Sequence, residues 1–524
     1  MAFSAAVAPA QQASEPGTRA RFYLSWLLAA GLAAVMLFHL ATLTQHPRVF
    51  IDESWLANAS WTWLTSGQNY DAMHHEVFGQ FGYEWIVRFF LGQIPYVLSY
   101  SVLGLGLFQT RLVAWVFGGV LLMLTVLVGR RLYDLNTGLL AALLLALSLP
   151  FLQASRFRQD IILTTMVMLA LWLALWAFRH ERAWWAHLLA GFLIGVGMDV
   201  HQSAFMFTPA LAALYLGQYG RKLLVRRGTW LAGIGGAAGV GIWVAIHILP
   251  SPETYSTLMQ FYFSGGADAE MPIANPATLV ESAVREFGRY GFRQNPLDLA
   301  LIAAGGALLL WRRSVADRLL LAFTGAAFVS FVLFSGNKTN LYAIHLYPLF
   351  MLIVAQLFAA LFRRFSGARV RQAAVALVAA VFVAYSGLRV VSAVRSTADY
   401  DYYAVTDQLR SAIPAGARVM AMPLWWLGLA DYDFSSSLNL AYYRFYNDYD
   451  TAEALAVIRP DYLVLDEVQS VVLADESEAL PQGLNAYRVS RTGFTQALAE
   501  RGELVLAFTD PYHGSFEVYA LRWP

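Results

Sequence analysis

FYLSWLLAAGLAAVMLFHLATL, residues 22–43, has no charged side chain and one histidine, His39. About 20 consecutive apolar residues cross the hydrocarbon core of a bilayer as a helix, whereas the apolar part of a cleaved signal sequence is about 7–15 residues long. Residues 22–43 therefore read as a first transmembrane helix that stays in the mature chain. The Ala-, Gln- and Pro-rich segment 1–21 before it is expected to be disordered and cytoplasmic.

The same reading extends outward. Apolar runs recur at 112–128, 139–152, 161–178, 186–200, 205–216, 230–249, 300–311, 319–334, 346–361 and 373–394. Composition agrees: 58% of the 524 residues are hydrophobic and 14% are charged, against about 25% charged in soluble domains. Aromatics make up 15%, 16 of them Trp, a residue that collects at membrane–water interfaces. The net charge of +1 gives no reason to expect a nucleic-acid partner, and the absence of cysteine excludes disulfides and thiolate chemistry.

Lys and Arg set the orientation, because they accumulate in cytoplasmic loops. The basic clusters are Arg19/Arg21, Arg130/Arg131, Arg179/Arg182, Arg221/Lys222/Arg226/Arg227, Arg312/Arg313/Arg318 and Arg363/Arg364/Arg369/Arg371. All fall on one face if 85–106, an apolar stretch containing Gly92, Pro95, Gly104 and Gly106, crosses twice or lies at the interface as a broken element. The expected fold class is a polytopic α-helical protein of about 11–13 spans with a C-terminal extracytoplasmic α/β domain. Its parts are a membrane region 22–395, external loops 44–83, 153–160, 250–296 and 335–340, and a soluble domain 396–524. In that domain, strands are expected at 418–422, 462–465, 504–508 and 516–521, with a helix at 451–458.

The polar residues of the external loops suggest the chemistry. Val49-Phe50-Ile51-Asp52-Glu53-Ser54-Trp55 puts two carboxylates at the start of an expected interfacial helix, 54–64, anchored by Trp55, Trp61 and Trp63. Asp52 in that place could be a plain helix cap. Asp71-Ala72-Met73-His74-His75-Glu76 gathers potential ligands for a divalent metal, with Glu53, His74, His75 and Glu76 as candidates, although the spacing matches no standard pattern. Arg156 and Arg158 oppose the positive-inside bias on a loop that ends at Asp160, so an anionic partner such as a lipid phosphate is expected. His201, Lys338, Tyr342 and His345 join them on the same face. A carboxylate that removes a proton, together with cations that stabilise a leaving phosphate, is what sugar transfer from a lipid phosphate requires.

These residues resemble a known family. Asp52-Glu53 after the first helix, the basic stretch ending at Asp160, Gly191-Phe192-Leu193-Ile194-Gly195-Val196-Gly197 leading to Asp199 and His201, and Lys338 with Tyr342, His345 and Pro348 are similar to GT-C membrane glycosyltransferases. The resemblance is especially to the protein O-mannosyltransferase-like branch, which includes bacterial aminoarabinose transferases for lipid A. The resemblance covers about residues 22–361 and lies more in order and topology than in identity. It implies that Asp52, with Glu53, is catalytic and that the donor is a polyprenyl-phosphate sugar. The chain departs from the family at His201, where Lys is frequent, and at His74-His75-Glu76-Val77-Phe78-Gly79, where a Lys/Arg-Pro-Pro run is frequent. Trp425-Trp426 is followed by Leu427 rather than the Asp of oligosaccharyltransferases.

The expectation is an inverting transfer of a hexosyl or pentosyl unit from a polyprenyl-phosphate carrier on the extracytoplasmic face, to a glycan, lipid or protein acceptor. In it Asp52, Glu53 and Asp160 carry catalysis, and Arg156, Arg158, His201, Lys338, Tyr342 and His345 hold the donor phosphate. A transporter or flippase of lipid-linked glycans is the rival, and it requires charges along a mid-membrane path.

Overall fold

The structure is a computed structural model that describes residues 16–81, 89–180, 182–264, 273, 276–292, 295–336, 339–475, 477–478, 480 and 487–524. It opens with helices α1 (Pro16–Ala41), α2 (Ile51–Ser66), α3 (His75–Phe78), α4 (Phe90–Leu103) and α5 (Leu107–Leu132). Next come α6 (Leu135–Ala146), α7 (Leu149–Phe157), α8 (Asp160–Ala177), α9 (Trp184–Val196), α10 (Phe207–Tyr219) and α11 (Arg227–His247). The helical region closes with α12 (Pro252–Ser264), α13 (Leu279–Arg289), α14 (Pro296–Arg312), α15 (Val315–Phe334), α16 (Tyr347–Arg364) and α17 (Arg369–Arg395).

Among the described residues seven helices are long and apolar enough to cross a membrane: α1, α5, α8, α11, α15, α16 and α17. The pair α6–α7, bent by 72°, makes an eighth if the two are counted as one broken span. The bend has a local cause: Ser148 caps α7 by accepting from the Phe151 N–H at 3.2 Å, and Pro150 occupies its first turn, where no donor is needed. The remaining apolar runs of the sequence centre on the shorter helices α9, α10 and α14. The loop expected at 250–296 contains two helices, α12 and α13. At 14 residues, α4 is about 21 Å long, too short for the double crossing that was one reading of 85–106. Residues 85–88 of that stretch lie outside the described residues.

The spans differ in surroundings. The apolar window of α8 is 78% buried within the protein, that of α1 only 6%; α8 is thus the central helix and α1 faces the bilayer. α9 and α11 meet almost backbone to backbone. A Cβ on Gly191 would lie 1.8 Å from the Ala232 carbonyl oxygen, and one on Gly235 would lie 1.9 Å from that of Leu188. Only glycine permits this approach, as in many small-residue membrane helix contacts. The contact holds the end of α9, and the turn leading to His201, against its neighbour.

After α17 the chain forms α18 (Tyr402–Ala412), β1 (Arg418–Ala421), β2 (Asp433–Ser436), α19 (Asn439–Asn447), α20 (Thr451–Ile458), β3 (Tyr462–Asp466), α21 (Glu467–Val472), α22 (Arg491–Arg501), β4 (Gly502–Asp510) and β5 (Gly514–Leu521). The sheet order is β2-β1-β3-β5-β4, parallel among the first three and antiparallel thereafter. The region around this mixed sheet meets α2 through a connecting segment. The 3-10 segment Pro423–Gly428 packs along α2, and Ser54 Oγ donates to the Leu424 carbonyl at 3.0 Å. Asn439 Nδ2 donates to the Met73 carbonyl at 3.0 Å and Tyr443 Oη to the Glu76 carbonyl at 2.8 Å. Trp55, Trp61 and Trp63 are therefore only partly exposed, and α2 is held between the sheet region and α4 rather than lying free in the interface.

Two titratable groups in this junction work against each other. Asp466 Oδ2 accepts from Trp425 Nε1 at 2.6 Å and Oδ1 from the Gln469 N–H at 2.7 Å. His513 packs its ring 4.8 Å from that of Trp425, and its Nε2 lies 3.1 Å from Tyr400 Oη, which accepts from the Val49 N–H. Burial, opposed by these hydrogen bonds, pushes Asp466 up to about 6, and burial pushes His513 down to about 4. A raised carboxyl pKa gives stability that is complete at low pH and is lost as pH rises through 6. A lowered His pKa gives stability that is complete above 6.5 and is lost as pH falls towards 4. Each contribution is about 3 kcal/mol, and between pH 4 and 6.5 the two have opposite signs. Relative to wild type, Asp466→Asn is expected to make melting temperature rise with pH across this window, and His513→Gln to make it fall. Thermal melts at pH 4–7 check this.

Candidate functional site

The site forms where the first turn of α2, the α7–α8 connection, the turn before α10 and the 3-10 turn Asn340–His345 come together. α2 begins after an extended Phe50, with no side-chain cap. Asp52 therefore does not cap the helix. Its place in the first turn suits the positive end of the helix dipole.

Arg158 is the centre of the cluster. Its backbone is extended, which ends α7 and turns the side chain inward. Nη1 donates to Asp52 Oδ2 at 2.6 Å, Nε donates to Asp160 Oδ2, and the guanidinium stands 5.2 Å from the Tyr342 ring centre. Arg158 and Asp160 are buried, whereas 41% of the Asp52 side chain is accessible. Asp52 is thus the acid of this pair that an incoming molecule reaches. Burial raises the Asp52 pKa; Arg158 opposes the rise and the charge of Asp160 adds to it. Ion pairing to two carboxylates outweighs burial for Arg158 and holds it charged.

Behind Arg158, Asp160 Oδ1 lies 3.1 Å from His345 Nε2 and 4.0 Å from His201 Nε2. His345 Nδ1 lies 2.9 Å from Thr164 Oγ1, and that hydroxyl is also 2.7 Å from the Asp160 carbonyl. The rings of His201 and Tyr342 are 5.2 Å apart. Asp160, His345, Tyr342, His201 and Arg158 therefore do converge, as the sequence suggests. Lys338 lies outside the described residues.

Three other expectations are corrected. Glu53 is not in the cluster: both its oxygens are taken by the buried Arg111, with Nε to Oε1 at 2.8 Å and Nη2 to Oε2 at 3.0 Å. Arg156 does not face a phosphate. Its guanidinium donates to the Thr42 and His46 carbonyls and to Thr42 Oγ1, closing the end of α1. Glu53, His74, His75 and Glu76 do not form a metal site. His74 pairs with Asp71 at 2.6 Å, His75 is exposed, and Glu76 Oε2 accepts from Asn439.

Arg289 is absent from the sequence reading, and Asp199 enters it only in the motif that leads to His201. Arg289, buried on α13, stands 5.1 Å from the Phe331 ring and 5.9 Å from that of Tyr342, adding a second guanidinium to the tyrosine beside Arg158. Its helix sits within a segment read as loop. Asp199 accepts from the Leu91 N–H at 2.6 Å and pairs with His247 Nε2 at 2.6 Å. It thereby ties the turn before His201 to α4 and α11.

The group that could hold a metal is Asp160, His201 and His345, whose ligand atoms lie within 4.8 Å of one another. Asp160 Oδ1 and His345 Nε2 face each other at 3.1 Å, and neither has another hydrogen-bond partner among the described residues, so a cation between them would take both as ligands. His201 fits less well. Its Nδ1 accepts from the Ser203 N–H at 3.1 Å, so in the neutral ring Nε2 carries the proton. It would have to give up that bond to ligate.

Comparisons with known proteins bear on the fold. The family model for dolichyl-phosphate-mannose-protein mannosyltransferase matches residues 94–244. A search of curated proteins finds no match. Among solved structures, ArnT from Cupriavidus metallidurans bound to undecaprenyl phosphate is similar at TM-score 0.60 and 12% identity, over 94% of this chain and 98% of that one. The Archaeoglobus fulgidus oligosaccharyltransferase tethered to an acceptor peptide is similar at TM-score 0.54 and 14% identity, over 95% of this chain and 74% of that one. The archaeal enzyme AglB with an inhibitory peptide and a dolichol-phosphate gives TM-score 0.51 at 14% identity, over 95% and 74%. With these likenesses and the seven apolar spans among the described residues, the chain is a multi-pass membrane protein of the GT-C fold.

Proposed function

We propose that this GT-C-fold membrane protein is an inverting glycosyltransferase that takes a sugar from a polyprenyl-phosphate carrier on the extracytoplasmic face. The observation that carries the reading is the half-open carboxylate of Asp52, held on the buried Arg158 next to Asp160, at the end of the most enclosed span. Asp52 removes the proton from an acceptor hydroxyl. The acceptor oxygen then bonds to the sugar C1 as the bond from C1 to the phosphate oxygen breaks, through an oxocarbenium-like state. The carrier leaves as polyprenyl phosphate, so it needs charge stabilisation rather than protonation. Arg158 supplies that charge, while Arg289, on the other side of Tyr342, is held in a buried ion pair with Glu286 at 3.1 Å. The likeness to structures holding undecaprenyl phosphate and dolichol-phosphate supports a carrier of this class. The basic clusters, which mark the cytoplasmic face, support outward placement of the site and of the sheet region. A divalent cation held by Asp160, His345 and His201 would add positive charge near the leaving phosphate.

The test is release of free polyprenyl phosphate by purified protein in nanodiscs. It is run over a panel of polyprenyl-phosphate hexoses and pentoses, with a crude envelope fraction as acceptor, with and without chelator. Turnover of one donor class is the expected result. Turnover of none, with a folded protein and acceptor from several sources, would remove the transferase reading. Loss with chelator would assign a working metal to the Asp160 group.

A further inference from the structure

The helix α4 carries a feature that the proposed chemistry leaves unused. Its buried positions are Gly92, Gln93, Tyr96 and Tyr100, so Gln93 and Tyr96, three apart, share one face. Tyr100 Oη is satisfied by Thr110 Oγ1 at 2.8 Å. Tyr96 Oη and Gln93 Oε1 have no hydrogen-bond partner among the described residues, although the side chains belong to residues only 1% and 3% exposed. An unpaired buried polar group is costly, and two side by side in one helix face call for an explanation. The surroundings of α4 supply one. It packs against α2, which carries Asp52, and against the turn Gly197–Asp199, which leads to His201; Gly92 itself approaches Val200. The buried face of α4 therefore stands between two walls of the cluster. Tyr96 Oη is also within the field of Glu53, Asp160 and Arg158.

We propose that Gln93 and Tyr96 form the sugar-reading wall of the site, receiving hydroxyl or amino groups of the sugar ring on the polyprenyl-phosphate donor. This rests on the transferase reading of Asp52 and adds the part that distinguishes one sugar from another. The amide oxygen of Gln93 takes a donor from the ring, and the Tyr96 hydroxyl takes or gives one. Neither group is asked to move a proton. Burying them unpaired in the free protein gives discrimination: a carrier without the right sugar leaves them unsatisfied.

The experiment measures binding, by native mass spectrometry in nanodiscs, of a polyprenyl-phosphate hexose, a polyprenyl-phosphate pentose and bare polyprenyl phosphate. It compares wild type, Tyr96→Phe and Gln93→Met, two near-isosteric changes; the first removes the orphaned hydroxyl and the second the orphaned amide oxygen together with its amide nitrogen. The expected result is a preference of wild type for one sugar-bearing carrier over the bare one. Each variant should reduce it roughly 5- to 50-fold, the effect of one buried hydrogen bond, with affinity for bare carrier unchanged. Melting temperature should hold or rise, because an unpaired buried polar group is removed. An unchanged preference in both variants overturns the proposal, as does a wild type that binds sugar-bearing and bare carriers equally; the orphaned atoms would then be served by enclosed water. Asp52→Asn runs beside them. Preserved sugar preference in wild type with no carrier release from any donor would sink the transferase reading while leaving this wall as a sugar-binding surface.

Discussion

Asp52→Asn is expected to lower sugar transfer at saturating donor by about 10²–10⁴-fold, the usual contribution of a positioned general base, with little effect on donor affinity. The amide cannot accept the proton of the acceptor hydroxyl. It can still accept one hydrogen bond from Arg158 Nη1, and Arg158 keeps its second tie through Nε to Asp160. The guanidinium thus stays in place over Tyr342, and the carrier phosphate still meets its charge. A loss in kcat with KM nearly constant separates a missing base from a disturbed binding site. The pH profile provides a second check. Burial raises the Asp52 pKa, assisted by Asp160 and opposed by Arg158. Only the ionised form is a base, so the wild-type rate should fall as pH drops through a value above the ordinary carboxylate range. In Asp52→Asn the residual rate should lack that acid limb. A folded Asp52→Asn protein with wild-type turnover would move the base to Asp160.

Much of this site is legible in sequence because membrane topology is coarse and strongly signalled. Apolar runs and Arg clusters place Asp52, Arg158, Asp160, His201 and His345 on one face at one depth, and they meet within a few ångströms. In the soluble part, 451–458 is the helix α20, three of the four expected strands fall within β3, β4 and β5, and 418–422 overruns β1 by one residue. The strand β2, Asp433–Ser436, is missed because four residues bounded by turns carry too little alternation. What sequence cannot separate is a charge that faces a ligand from one that holds the backbone. Arg156 and Arg158 are two residues apart with the same surroundings in sequence. α7 ends between them, so one points back to the end of α1 and the other into the site. Glu53 and Asp52 are likewise adjacent on a helix, about 100° apart around its axis, and they have opposite fates. α4 is harder still: Gln93 and Tyr96 sit in an apolar stretch broken by proline, and their role depends on which of its faces is covered.

Arg111→Met is expected to be the most destabilising of the changes considered, by about 3–5 kcal/mol, because it leaves Glu53 buried without a counter-charge. The guanidinium holds more than Glu53. Nη1 donates to the Leu43 carbonyl at 2.9 Å and Nη2 to the Pro47 carbonyl at 2.9 Å. One side chain thus fixes the end of the first span, the connection after it and the first turn of α2. That connection leads directly to Asp52, and its Val49 N–H is held in turn by Tyr400. Replacing both partners by apolar groups of similar volume removes the stranded charge, so Arg111→Met with Glu53→Met should recover most of the stability. Activity should not return with it, since the Leu43 and Pro47 carbonyls still lack their donor and Asp52 is no longer aimed. A displacement of about 1 Å at a reacting group costs about 10²-fold. Thermal melts and carrier-release kinetics on the two single variants and the double variant measure both effects. Stability restored with activity still low would make Glu53 and Arg111 positioning residues for Asp52. Stability restored together with activity would mean that the pair serves folding alone. A Glu53→Met protein as inactive as Asp52→Asn but no less stable than wild type would instead place Glu53 in the chemistry.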